Sequence, residues 1–195
     1  VNIQFDQTGV SATASTNMKI QAKGTAGSAT LSIGLKGKNS TVRTVSAGIT
    51  LATAVTGSDL TGLSNAINAY SAETGIVATL KADKTTVYLT QDEGHDIALT
   101  DLDFADTTDN SRDLQVTGMD ARLFDANGDE ILSGTAKTMT DTSHSSGAGK
   151  DAIVGGQIMM HGSNSFTVTT TNLNGDIFQS SPGAATLNKV SELSL

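Results

Sequence analysis

Leu63-Ser64-Asn65-Ala66-Ile67-Asn68-Ala69-Tyr70, inside the segment from Ser58 to Leu102, decides how this chain is read. Leu60, Leu63, Ile67 and Tyr70 recur at helical spacing, with Ala66 on the same side. Asp59 precedes them as a candidate N-cap, because its carboxylate can accept from the free amides of a first helical turn. The helix is expected to stop near Ala72, where Thr74-Gly75 supplies a residue that tolerates positive φ. The period then falls to two. Ile76, Ala78 and Leu80 alternate with Val77, Thr79 and Lys81, and Asp83-Lys84 turns the chain into Val87-Tyr88-Leu89-Thr90. After a turn at Gly94, Ile97-Ala98-Leu99 gives a third short run. This segment reads as a short helix lying across a small antiparallel sheet, since neither element can bury its apolar face alone.

Upstream, Gly9 to Ala22 reads as a strand, and Lys23 to Gly27 as a turn. Leu31, Ile33 and Leu35 alternate toward a core, and Gly37 to Ser40 turns into Val42 to Val45. Ile49-Thr50-Leu51 then approaches the helix, so this half is expected to supply hairpins on which the helix packs. Downstream, Asp101, Asp103, Asp106 and Asp109 mark a polar stretch ending near Arg112, read as an interdomain connection. Beyond it only strand signals follow. Asn127-Gly128, between Arg122-Leu123-Phe124-Asp125 and Glu130-Ile131-Leu132, predicts a type I′ hairpin. Ser143 to Lys150 is a Gly/Ser loop, and Ile153-Val154 and Ile158-Met159-Met160 flank Gly155-Gly156. Phe166, Val168 and Thr170 form the last clear strand before Ser181-Pro182-Gly183. The expected fold is mainly β with one short α-helix, in the α+β class, divided into two small β-rich domains. Residues 1–110 hold the helix and its sheet, 111–184 the second domain, and 185–195 an exit segment.

Composition narrows the function. The 195 residues include 37% apolar and only 16% charged positions, so solubility rests on Ser, Thr, Asn and Gly. An aromatic share of 4% leaves few large anchors for a tight interface. The net charge of −8 argues against nucleic acid, which needs a basic excess to displace counterions, and against anionic membrane surfaces. Cysteine is absent, which removes disulfides, thiolate nucleophiles and Cys-based zinc sites together. Val1 to Gln21 has neither the basic nor the apolar region of a signal peptide, and no run approaches the ~20 apolar residues of a membrane span.

The motifs that carry chemistry elsewhere fail here on particular residues. Asp125-x-Asn127-x-Asp129 copies the start of an EF-hand loop, but Glu130 stands where glycine is needed and Ala136 where the bidentate Glu is needed. Gly37-Lys38 and Gly149-Lys150 are followed by Asn39 and Asp151 instead of the hydroxyl of a phosphate loop. His95, His144 and His161 lack metal-ligand spacing, and neither a His-Glu-x-x-His nor a Gly-x-Ser-x-Gly motif occurs. The expectation is therefore no catalytic residue, no cofactor and no metal. Asn39-Ser40-Thr41 fits the N-glycosylation sequon.

Asn65-Ala66-Ile67-Asn68-Ala69, followed by Glu73-Thr74-Gly75-Ile76-Val77-Ala78-Thr79, resembles the IN motif of bacterial flagellins and flagellar hook-associated proteins. A weaker echo, Asp6-Gln7-Thr8-Gly9-Val10-Ser11-Ala12-Thr13-Ala14, repeats the Thr-Gly-hydrophobe pattern near the start. Ala185-Thr186-Leu187-Asn188-Lys189-Val190-Ser191 resembles the segment by which flagellins re-enter their C-terminal core helix. The resemblance implies the central, surface-facing region of a flagellin, without its terminal helices. It also leaves open, beside the sequential split near residue 110, a nested arrangement in which both chain ends form the base and the middle the tip. The absent initiator Met agrees with a fragment, and equally with removal by processing. It further implies an extracellular, exported structural protein, neighbouring flagellin subunits as partners in the filament, and Ser/Thr surfaces suited to O-linked sugars. The isolated region is expected to be monomeric. The alternative is a binding module, either the outer part of a hook-associated or cap protein or an adhesin-like domain.

Overall fold

Met18, Ile20 and Ala22 alternate along one strand, and all three are fully buried. That alternation sets the architecture, because a strand with one buried face needs a second layer to cover it. The computed structural model describes residues 2–105, 112–140 and 149–162. In chain order the strands are β1 (Val10–Lys23), β2 (Gly27–Lys36), β3 (Arg43–Leu51), β4 (Ile76–Leu80), β5 (Thr86–Gln91) and β6 (Ile97–Phe104). They continue with β7 (Asp113–Phe124), β8 (Glu130–Leu132), β9 (Lys137–Thr140), β10 (Ala152–Val154) and β11 (Gln157–Gly162). The helices are α1 (Phe5–Thr8), α2 (Thr61–Asn68) and α3 (Ser71–Thr74).

The fold is β-rich with a few short helices and two antiparallel sheets. In the larger sheet the order is β4-β5-β1-β7-β8, with β9 pairing to β7 and β11 to β1. The smaller runs β10-β6-β2-β3. Among the described residues a hydrophobic cluster draws Met18 and Ile20 from β1, Leu89 from β5, Leu31 and Ile33 from β2 and Ile49 from β3. It also takes Leu60, Leu63 and Ile67 from the helix region. α2 packs against β3 and β4, the edge strands of the two sheets, and so closes one open side between the layers. Two unpaired edges and one apolar stripe are satisfied together.

The chain divides into two units, Val1–Thr13 with Met160–Leu195, and Ala14–Met159. The cluster and both sheets' main pairings belong to the second. In the first, the Asn2 side chain exchanges hydrogen bonds with the Ala12 backbone, donating at 2.9 Å and accepting at 2.7 Å.

Several local readings hold in the position and type of the element. The helix, the strands at Ile76 to Leu80 and Val87 to Thr90, and the β2–β3 hairpin all form. Gly75 takes the left-handed conformation at φ 70°, but it ends α3, while α2 itself stops at Asn68.

Other readings change. The expected boundary near residue 110 falls inside the larger unit, because Asn17 to Lys23 of β1 pair with Met119 to Asp113 of β7. Ile97-Ala98-Leu99 does not extend the β4–β5 sheet. β6 lies in the smaller sheet beside β2 and runs on to Phe104, so Asp101 and Asp103 occupy a strand and not a connector. A bulge makes this feasible: Asp101 sits at φ 51° with its amide bound to the Asp151 carboxylate, which restores Leu102 and Phe104 to the buried face. The turn at Lys23 to Gly27 crosses from one sheet to the other instead of closing a hairpin. Asn127-Gly128 does close the β7–β8 hairpin, but not as a type I′ turn, since of that pair only Gly128 has positive φ. The Asp125 carboxylate accepts from the amides of Asn127 and Asp129, and Gly128 donates to the Asp125 carbonyl, so side-chain capping sets the turn. The expected strand at Phe166 to Thr170, the turn at Ser181 to Gly183 and the exit segment 185–195 lie outside the described residues.

Candidate functional site

The residues that carry the sequence motif converge on the edge of β4. Ile67 is fully buried in the core. Its neighbour Asn68 turns the other way and uses both ends of its amide on one residue. Its Oδ1 accepts from the Ala78 N–H at 2.8 Å, and its Nδ2 donates to the Ala78 carbonyl at 2.8 Å. A carboxamide presents the same donor and acceptor as a peptide group, so Asn68 stands in for a neighbouring strand. The Thr74 hydroxyl accepts from the Ile76 amide at 3.2 Å, which occupies the next position along that edge. β4 therefore offers little free backbone to another strand. Asn68→Ala is expected to lower stability by about 1–3 kcal/mol in denaturant titration, because two edge groups lose their partner. Asn68→Asp keeps the acceptor but sets a carboxylate against the Ala78 carbonyl. Its loss is expected to be at least as large at pH 7 and to shrink on acidification.

Asp59 is not the N-cap of α2: Leu60 takes that place without a side-chain cap bond, and Asp59 braces the turn before it. The Asp59 carboxylate accepts from the Thr61 amide at 2.9 Å and the Thr61 hydroxyl at 2.6 Å. Those bonds, with Lys84 at 3.5 Å, hold its pKa below the ordinary carboxylate value. The backbone of Asp59 also bridges to Thr50 of β3. Beside this junction runs an open, shallow groove whose side chains include Ser28, Thr30, Thr50, Asp59 and Thr61. It has no aromatic wall, and its carboxylate is already engaged.

Several of the residues singled out from sequence have a structural occupation. Asp125 spends Oδ1 on its own loop, and the Asp129 amide leads the interactions that hold its pKa low. Gly37 donates its amide to Asn39, and Lys38 donates its own to the Thr74 carbonyl. Asn39 bonds through its side-chain amide to the carbonyls of Leu35 and Thr41, so the sequon nitrogen is tied into the β2–β3 turn. His95 is half exposed, 3.5 Å from Glu93, and His161 is exposed. His144 lies outside the described residues. Among the described residues no group of three or more His, Asp or Glu is placed to hold a metal ion, and no helix is long and apolar enough to cross a membrane.

One constellation was not legible in sequence. Glu130 accepts from Lys19 Nζ at 2.6 Å and from the Tyr88 hydroxyl at 2.6 Å, joining three strands. The partners stand 111 and 42 residues away, and no local pattern marks either.

No protein-family model matches the chain, and no curated protein matches it.

Proposed function

We propose that this chain is the outer, surface-displayed region of a flagellin subunit, a structural part of an extracellular filament. The observation that carries the reading is the use made of the motif residues. Ile67 fills the core, Asn68 seals the β4 edge, and Gly75 ends α3 in the left-handed conformation. All three are spent on holding a helix to a strand, as expected of a motif that builds a scaffold. The proposed work is mechanical and steric: a β-rich body projects from a helical filament core, adds bulk and forms the surface seen from outside. In the filament its partners are neighbouring subunits, and its Ser/Thr-rich surface is suited to O-linked sugars.

Assembly is then expected to reside in terminal helices of a longer parent, packed through apolar stripes. α2 has eight residues, and its buried side chains serve its own core. With a net charge of −8, the isolated chain is expected to remain monomeric in light scattering. Replacing residues 1–195 of the parent by a short Gly/Ser linker should still give filaments, thinner under electron microscopy. Ordered fibres from the chain alone, or export of the deleted parent without filaments, would place the assembly determinants here and defeat the reading.

A further inference from the structure

Beyond Met119, β7 leaves the register it keeps with β1. Its pairing with β8 jumps from Met119↔Leu132 to Phe124↔Glu130, and between them Leu123 sits at φ 60°, a conformation that a leucine rarely takes. The departure is anchored at its root. Asn17 Nδ2 donates to the carbonyls of Asp120 and Ala121, while Gln157 accepts from the Ala121 amide and donates to the Met119 carbonyl. The rest of the hairpin then lies over the side of β1 and β5 that faces away from the core.

That placement explains one buried and one largely covered side chain. Lys19 alternates with core residues Met18 and Ile20, and Tyr88 with Val87 and Leu89, so both point outward. They are register partners across β1 and β5. Even so, Tyr88 is only 6% exposed and the Lys19 side chain 14%. Phe124 covers Tyr88 edge-on with ring centroids 5.3 Å apart, and Glu130 bonds to both residues. Between Phe124 and Glu130 the hairpin tip is exposed.

We propose that residues 120–132 form a strap latched over the outer face of the β1–β5 pair by Glu130, and that protonation of Glu130 releases it. Ionised, the carboxylate accepts two short charge-assisted bonds. Protonated, it loses the ion pair with Lys19 and holds the strap mainly through the Phe124 contact.

The charges around the latch favour the closed state near neutrality. Partial burial alone raises the Glu130 pKa, but the hydrogen bonds from Lys19 and Tyr88, with the charges of Lys19 and Lys81, outweigh it and leave the group below its ordinary value. Burial first, then Glu130 and Asp83, push the Tyr88 phenol up, so it keeps its proton and remains a donor. Because the folded value is depressed, the latch is at full strength above the unfolded carboxylate range. It is lost as pH falls through the lowered folded value. Release exposes the Tyr88 ring and the Lys19 ammonium together.

Amide hydrogen exchange on the whole chain, corrected for the intrinsic rate at each pH, tests this. Between pH 7 and pH 3, the amides of Phe124 and of Glu130 to Leu132 should lose protection about ten-fold, while those of Met18 to Gln21 and Val87 to Leu89 keep theirs. The Asn127 and Asp129 amides are left out of the readout, because the Asp125 carboxylate that holds them also titrates in acid. Glu130→Gln should show the loosened strap already at pH 7, with little further response to acid. Tyr88→Phe keeps the ring and should loosen the strap less while retaining the acid response. Protection at Phe124 and Glu130 to Leu132 that follows the β1 and β5 amides at every pH would overturn the proposal. So would a Glu130→Gln strap as protected and as acid-responsive as the wild type.

Discussion

Replacing Gly62 with alanine is expected to destabilise the protein by about 3 kcal/mol or more, read as a lower denaturant midpoint. A Cβ added there would collide with the Gly48 carbonyl oxygen and sit 3.1 Å from its carbonyl carbon. Both atoms are backbone, so no side-chain rotation relieves the contact. Either α2 lifts from the β3 edge or β3 bends, and each costs burial of Leu63 and Ile67. Gly48 is the matched control. A Cβ there meets nothing within 4 Å, and Gly48→Ala should be neutral or slightly stabilising, because alanine loses less backbone entropy on folding. Equal midpoints for Gly62→Ala and Gly48→Ala would show that the helix does not depend on this close approach.

Ile67→Ala is expected to cost about 2–5 kcal/mol, the range for removing a fully buried branched side chain from a core that can only partly collapse. Ile67 sits among residues from both sheets, so relaxation around the cavity is limited by two strand edges already fixed to α2. The variant should unfold in one cooperative step at a lower midpoint, with the Asn68–Ala78 bonds lost in that step. A cost near that of an exposed substitution, within about 0.5 kcal/mol, would mean that the helix is an accessory and not the seal between the layers.

Much of this arrangement is carried by short-range signals. The helical spacing around Leu63 and Ile67 and the alternation at Ile76 to Leu80 and Val87 to Leu89 are set by the geometry of single elements and appear where the pattern put them, although α2 ends at Asn68 and Tyr70 falls in the break before α3. Gly75 follows from backbone sterics alone. Asn68 is visible in the sequence as part of a motif, yet its task is not, because the residue it clamps lies across a turn in a strand whose edge becomes free only once the sheet exists.

What sequence alone determined about this protein is its class: β-rich, acidic, without cysteine, with a short apolar-faced helix followed by a turn and a strand. Those properties depend on composition and on neighbours within a few positions. Tertiary structure decided which strands share a sheet. β6 leaves its sequence neighbours β4 and β5 for β2, and β7 crosses the expected boundary at residue 110 to pair with β1. Periodicity states that a strand has a buried face but not which strand lies beside it, since backbone hydrogen bonds are alike for every partner. The Glu130 latch shows the same limit for side chains. Lys19, Tyr88 and Glu130 are ordinary in their local contexts, and only the bend of the β7–β8 hairpin over the sheet brings Glu130 within 2.6 Å of each of the other two.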